Sequence, residues 1–317
     1  MDSIFLSFSA SCLAAVLAAP YAIKLLRKLK LGQFVRDDGP SSHLAKQGTP
    51  SMGGLIMAFA AGLAMLLFVP LGADVYIMAL TAAGFALIGF LDDFLKVKHK
   101  APLGLKGRFK FLGQVAFSAV LAVYAYKTGG GGLSIPFVAQ PFDLGLFYVP
   151  FAMFIVIGAA NGVNFADGVD GLASGAAAMS IATYGVIAYL QGQMGLASLA
   201  AALVGACLAF LLFNSHPASV FMGDTGSLGL GGAIGALAVL TRNEVLLALV
   251  GLLYVIEILS SVIQVYYIRK LNRRLFRMAP IHHHFELLGY PEAHVAAGFW
   301  IFSAICGALS LVIYLRG

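Results

Sequence analysis

The chain has 317 residues, of which 60% are hydrophobic and only 11% charged, with a net charge of +6. Soluble domains carry about 25% charged residues. The composition therefore excludes a soluble enzyme, no nucleic-acid partner is expected, and an integral membrane protein remains.

Apolar segments run to about 20 residues, the length of helix that crosses roughly 30 Å of hydrocarbon. They lack the alternation of barrel strands, so the expected fold is all-α: a single polytopic membrane domain, residues 1–317, of about ten transmembrane helices. The spans fall near 4–23, 52–71, 75–95, 111–127, 146–163, 172–190, 196–213, 226–241, 244–267 and 294–315. The first is read as a span and not as a cleavable leader, because its basic residues follow it. Cys12, Cys207 and Cys306 lie inside apolar segments and read as packing residues, neither disulfides nor metal ligands.

Charge placement orients the spans. Apart from Lys127, Arg242 and Arg316, every Lys and Arg falls in one of three connections, those after spans 1, 3 and 9. Lys30, Arg36 and Lys46 belong to the first of these, Lys100, Lys106 and Lys110 to the second. The positive-inside rule puts these connections in the cytoplasm and both termini outside, in the cell (inner) membrane. The same topology places the connections after spans 5 and 7 inside, although they hold no Lys or Arg. The outward stretch TGGGGLSIPFVAQPFD is expected to be a linker or small hairpin with no chemistry.

The residues able to do chemistry gather on the expected cytoplasmic face. GFLDDFLKVKHK ends span 3 with Asp92 and Asp93, which point about 100° apart on a helix. Either they serve a site, or they are a solvated helix end paired with Lys96 or Lys98. NGVNFADGVDGLASG carries Asn161, Asn164, Asp167 and Asp170 at a membrane boundary, where ionisable groups are costly to desolvate. FMGDTGSLG sets Asp224 in a glycine turn that opens span 8, either a helix cap or a group beside a phosphate. Five carboxylates crowded at one depth repel one another unless a cation neutralises them. All-oxygen ligation suits Mg²⁺, which completes its shell with water and substrate phosphates. Lys46 in KQGTPSMGG and Lys110 in KGRFK could hold the phosphates of a polyanion, or merely attract anionic membrane lipids. MAPIHHHFELLGY contains His282, His283 and His284, able to donate to phosphate oxygens or shuttle a proton; at least one must be structural, since three consecutive positions cannot all face one ligand. His43, His99, His216 and His294 read as surface or packing residues, and Glu257, inside span 9, is left unassigned.

These motifs, in this order along the whole chain, resemble the polyprenyl-phosphate N-acetylhexosamine-1-phosphate transferase superfamily. The HHHFELLG run is similar to its phospho-N-acetylmuramoyl-pentapeptide transferase branch. The resemblance implies transfer of phospho-MurNAc-pentapeptide from UDP-MurNAc-pentapeptide to undecaprenyl phosphate, giving lipid I and UMP, with Mg²⁺ required and Mn²⁺ as a substitute. It implies a magnesium role for Asp224 with Asp92 and Asp93, which are also the catalytic pair, and a catalytic role for Lys110. Asp167, Asn214 and Phe221 match uridine-site positions, with Asn161, Asn164, Asp170 and Lys46 counted as further substrate contacts. In the histidine cluster, His283 is placed with the catalytic residues, His282 and His284 with the substrate contacts. Phe165 and Ala166 stand where a Leu-Thr pair is common, and Tyr290 where Trp is common. The nearest alternative is a sister enzyme that places GlcNAc-1-phosphate on the same lipid, and a remote one is a cation-coupled transporter. Oligomeric state is left open, a homodimer among the options.

Overall fold

A computed structural model describes residues 1–29, 46, 48–99, 104–138 and 140–316. Lys30, Arg36, His43 and Lys100, named above, lie outside the described residues. In chain order the helices are α1 (Asp2–Lys28), α2 (Gly54–Phe68), α3 (Ala73–His99), α4 (Gly107–Gly129), α5 (Tyr148–Ala166), α6 (Leu172–Leu190), α7 (Met194–Asn214), α8 (Gly223–Leu240), α9 (Leu247–Val250), α10 (Leu252–Leu271), α11 (Ile281–Leu287) and α12 (Glu292–Arg316). Between α4 and α5, two-residue strands β1 (Gly132–Leu133) and β2 (Phe142–Asp143) pair antiparallel as a small hairpin. Among the described residues, nine helices are long and apolar enough to cross a membrane: α1, α3 to α8, α10 and α12.

Two expected spans come out differently. The second is helical for only 15 residues, Gly54–Phe68. It ends at Val69, which turns extended because the ring of Pro70 disfavours helical backbone in the residue before it. The expected helix 244–267 divides at Gly251 into the short α9 and the long α10, since glycine pays the largest entropic cost of staying helical.

Helix α8 is the axis of the bundle, buried along almost its whole length. Its sequence, GDTGSLGLGGAIGALAVL, is dominated by small residues. In a bilayer, helices associate through close packing and not through water exclusion, so small residues mark their contacts. Gly89 on α3 sits so tightly on α8 that a β-carbon there would collide with the backbone carbonyl of Asp224. On the other flank, a β-carbon at Gly231 would lie 2.5 Å from the Cα of Ala160 on α5. The outer helices turn large apolar side chains outward, as Leu13, Leu17 and Tyr21 of α1 and Ile301, Ile305 and Leu309 of α12 do.

This packing sorts the connections to two ends. At one end, Arg242 binds the carbonyls of Ala125 and Gly130, Tyr184 donates to the carbonyl of Asn243, and Tyr148 donates to Glu244. At the other end, the segment before α2 is zipped onto the start of α8. Phe221 N–H donates to the Pro50 carbonyl at 2.8 Å, Gly53 N–H to Phe221 at 2.8 Å, and Gly54 N–H to Met222 at 3.0 Å. Gly89→Ala should therefore destabilise the fold by about 1–3 kcal/mol, because neither backbone can yield. Thermal unfolding in detergent checks this, with Gly62→Ala, whose added carbon meets nothing within 4 Å, as the unaffected control.

Candidate active site

The last turns of α3 carry Asp92, Asp93 and Lys96 to the point where α8 begins with Asp224. One oxygen from each of Asp92, Asp93 and Asp224 lies within 4.8 Å of the others. Three carboxylates so close would repel, and two ammonium groups offset the repulsion. Lys96 Nζ lies 2.5 Å from Asp92, 3.3 Å from Asp224 and 3.8 Å from Asp93. Lys110, from the first turn of α4, lies 2.6 Å from Asp224. Asn164 donates to the second oxygen of Asp224 at 3.0 Å and to Ser227 at 2.9 Å.

The adjacent aspartates do different work. Asp93 accepts from Thr225 N–H at 2.9 Å, from the Thr225 hydroxyl at 2.7 Å and from Asp224 N–H at 3.2 Å. Its oxygens are thereby spent on the free amides at the start of α8, where the helix dipole also favours an anion. Among the described residues, Asp92 accepts one amide, Leu105 N–H at 2.8 Å, and meets Lys96, with the Asp224 carboxyl beside it. Asp93 is the anchor of α8, and Asp92 is the carboxylate with coordination capacity left.

A second knot lies beside the first. Lys46 binds both Asp170, at 2.8 Å, and Glu292 at the start of α12. Asp170 also accepts Ala218 N–H at 3.1 Å, its own N–H donates to Glu292 at 2.8 Å, and His216 Nδ1 stands 3.2 Å from each carboxylate. Asp167, just past the end of α5, lies between the two knots. Burial, then the negative charges of Asp224, Asp93 and Asp170, push its carboxyl up to about 8.

The other expected site residues spread more widely. Asn161 pairs with Gln114 of α4 (Nδ2 to Oε1, 2.9 Å) and with the Ile157 carbonyl (2.8 Å), so it joins α4 to α5 outside both knots. Asn214 is buried, receiving the Ser174 hydroxyl and donating to the Val220 carbonyl at 3.0 Å. Phe221, half-buried, reaches the site through the backbone zipper to the α2 segment. His282 is fully buried with Nδ1 3.0 Å from Glu257, His283 Nδ1 lies 2.6 Å from Glu286, and His284 accepts Arg277 N–H at 3.1 Å. Sequence reasoning missed Glu292, which no motif singles out. It undervalued His216, whose position in NSHPA beside the Asp224 motif was the available signal. Lys96, considered only as a neutralising partner, bridges all three carboxylates.

The donor set of the first knot fits a divalent cation. Asp92, Asp93 and Asp224 offer hard oxygen ligands of the kind Mg²⁺ takes one or two of at a time, and Lys96 marks how much positive charge the pocket accommodates. Asp93→Ala would orphan two buried donors of Thr225, costing about 1–3 kcal/mol, which a lowered unfolding midpoint would show. The raised Asp167 carboxyl also has a pH consequence. Its protonated form contributes stability that is fully present below its ordinary value of 3.8 and lost as pH rises through about 8. EDTA-treated protein should lose thermal stability across that interval, and Asp167→Asn should flatten the loss.

Comparison with known proteins matches residues 75–242 to the model of glycosyl transferase family 4. That segment runs from α3 to the end of α8 and includes Asp92, Asp93, Asp167, Asp170 and Asp224. Full-length relatives share the chain's dimensions. The phospho-N-acetylmuramoyl-pentapeptide-transferase of Desulforamulus reducens is 47% identical, covering 98% of this chain and 95% of its own. The enzyme of that name from Clostridioides difficile is 46% identical, over 95% and 94%, and that from Geobacillus kaustophilus 44% identical, over 98% of both chains. The chain is a multi-pass membrane protein and belongs to glycosyl transferase family 4, within it to the phospho-N-acetylmuramoyl-pentapeptide-transferases.

Proposed function

We propose that the protein transfers phospho-MurNAc-pentapeptide from UDP-MurNAc-pentapeptide to undecaprenyl phosphate, forming lipid I and UMP with Mg²⁺. The observation that carries this reading is the joining of Asp92, Asp93 and Asp224 with Lys96 and Lys110 where α3, α4 and α8 meet. Phosphoryl transfer needs positioned charge more than a strong nucleophile, and this pocket is built of positioned charge. Membership of the family favours the muramoyl-pentapeptide substrate over the GlcNAc-1-phosphate alternative. A coupled transporter would keep such a site near the bilayer midplane, between repeated halves. Here the acids crowd at one end of the bundle, with the basic ends of α1, α3 and α10. That clustering supports a cytoplasmic site, with α2 as a tenth, short span and both termini outside.

In this mechanism Asp224 and Asp92 would hold the cation, which would supply positive charge to offset the diphosphate of the nucleotide sugar. Asp93 keeps Asp224 in place through the start of α8. Asp92, with capacity to spare, either takes the proton of the incoming lipid phosphate, whose oxygen bonds to the sugar-linked phosphorus as the P–O bond to UMP breaks, or attacks that phosphorus itself, expelling UMP, and is then displaced by the lipid phosphate. Lys110 transfers its ammonium from Asp224 to phosphate oxygens as negative charge builds on the departing UMP. Asn164 orients Asp224, while Asp167, Asn214 and Phe221 frame the uridine, and Lys46 and Asp170 the adjoining part of the nucleotide. His283 on α11 faces the sugar phosphate as donor or proton carrier.

Purified protein given fluorescent UDP-MurNAc-pentapeptide and undecaprenyl phosphate should form labelled lipid. EDTA should abolish this and Mg²⁺ or Mn²⁺ restore it. Asp224→Asn should lower the rate by about a thousandfold, equivalent to roughly 4 kcal/mol of lost charge stabilisation, with the mutant still monodisperse in detergent. Near-normal turnover by that mutant would refute the assignment.

A further inference from the structure

Glu257 lies inside a membrane-spanning helix with its side chain wholly buried. No motif claims it, and it touches neither carboxylate knot. Among the described residues it meets one ionisable partner, His282 of α11, also wholly buried, whose Nδ1 is 3.0 Å from Glu257 Oε2. The remaining polar atoms of both side chains, Glu257 Oε1 and His282 Nε2, are buried without a hydrogen bond. Burying such a pair is costly, and replacing it by well-packed apolar groups is often neutral or better for stability. Stability alone is thus a weak reason for it. A buried hydrogen-bonded pair that selects one geometry is a better one.

The geometry it selects is visible. The unpaired Nε2 edge of His282 is pressed against Gly168, where an added β-carbon would run into it. Gly168 sits between Asp167 and Asp170, in the loop that carries both aspartates from α5 to α6. The imidazole is therefore a wedge, with Glu257 of α10 behind it and the aspartate loop in front. The same ring packs edge-on against His283, ring centres 4.2 Å apart. The rest of the α10–α11 connection is fastened separately. Gln264 binds both the N–H and the carbonyl of Phe276, at 3.0 Å each, and His284 binds Arg277.

We propose that Glu257 and His282 form a positioning pair for the transfer reaction: Glu257 fixes the ring, and the ring sets the aspartate loop and His283 at their distance from each other. This deepens the transferase reading and rests on it. Neither residue touches the reacting atoms. Both act by holding the groups that frame the nucleotide sugar, while the polyprenyl phosphate meets other residues.

The test uses full-length detergent-purified protein, with UDP-MurNAc-pentapeptide and undecaprenyl phosphate varied separately. Glu257→Ala should raise KM for the nucleotide sugar by roughly 10- to 100-fold, as a small misplacement far from the chemistry does, and leave KM for the lipid phosphate unchanged. Glu257→Gln, which still accepts from Nδ1–H, should recover most of that loss. Gly168→Ala should reproduce the defect, and Gly168→Ala combined with His282→Ala should be no worse than His282→Ala alone, since the colliding ring is gone. Unchanged KM for the nucleotide sugar in Glu257→Ala, or losses that multiply in the double variant, would overturn the proposal. Should Glu257→Ala not fold, the Gln variant and the Gly168 pair decide on the same criteria. Unaltered protein in the same assay tests the transferase reading by itself, so the two can fail separately.

Discussion

The contact between the end of α3 and the beginning of α8 governs the rest of the site. Gly89 removes the side chain that would keep the two backbones apart, and Asp93 then turns its oxygens onto the free amides of α8. A helix start needs partners for its amides and prefers an anion beside them. Asp93 supplies both, and it is this bond that carries Asp224 up to Asp92. Without so close an approach, Asp92 and Asp224 would sit on separate helices with a lysine each. With it they share a pocket that Lys96, one turn on in α3, and Lys110, from α4, neutralise.

Charge at this end of the bundle is balanced in two neighbouring places, each centred on ammonium groups. Lys96 and Lys110 serve one, and Lys46, held between Asp170 and Glu292, serves the other. Asp167 keeps its proton more readily than an ordinary carboxyl, first because it is buried and then because Asp224, Asp93 and Asp170 oppose another negative charge there. The lysines of the two knots are already presented, each on a carboxylate that can release it to a phosphate. The buried Glu257 and His282 stand behind the loop that carries Asp167 and Asp170.

Much of this was legible in the chain. The paired aspartates, the aspartate of the GDTG turn and the NFADGVDG stretch were marked by the expense of acids at membrane depth, and they do converge on one end. Lys110 and Lys46, singled out among many basic residues, lie one in each of the two knots. What escaped was the division of labour. Asp92 and Asp93 are indistinguishable as a dipeptide, and only the amides of α8 make one an anchor. Glu292 follows a proline in an unremarkable turn, and its role exists only because Lys46, more than two hundred residues earlier, arrives opposite it. His216, read as a surface or packing residue, is indeed exposed, and its ring also stands beside two carboxylates. Asn161 sits in the same motif as Asn164 yet faces Gln114, because its place on α5 turns it toward α4.

The chain by itself determined that it crosses a membrane many times as helices, where most of those helices lie and which residues could bear chemistry. Each of these is a local matter: the thickness of the hydrocarbon sets the length of an apolar run, and a charge inside one needs a reason. Tertiary structure alone decided which acids share a lysine and that a histidine from the conspicuous triplet is walled off against Glu257. These follow from how near two backbones can come at a glycine and from which amides are left without partners when they do. Such distances lie between residues far apart in the chain, and no spacing along it records them.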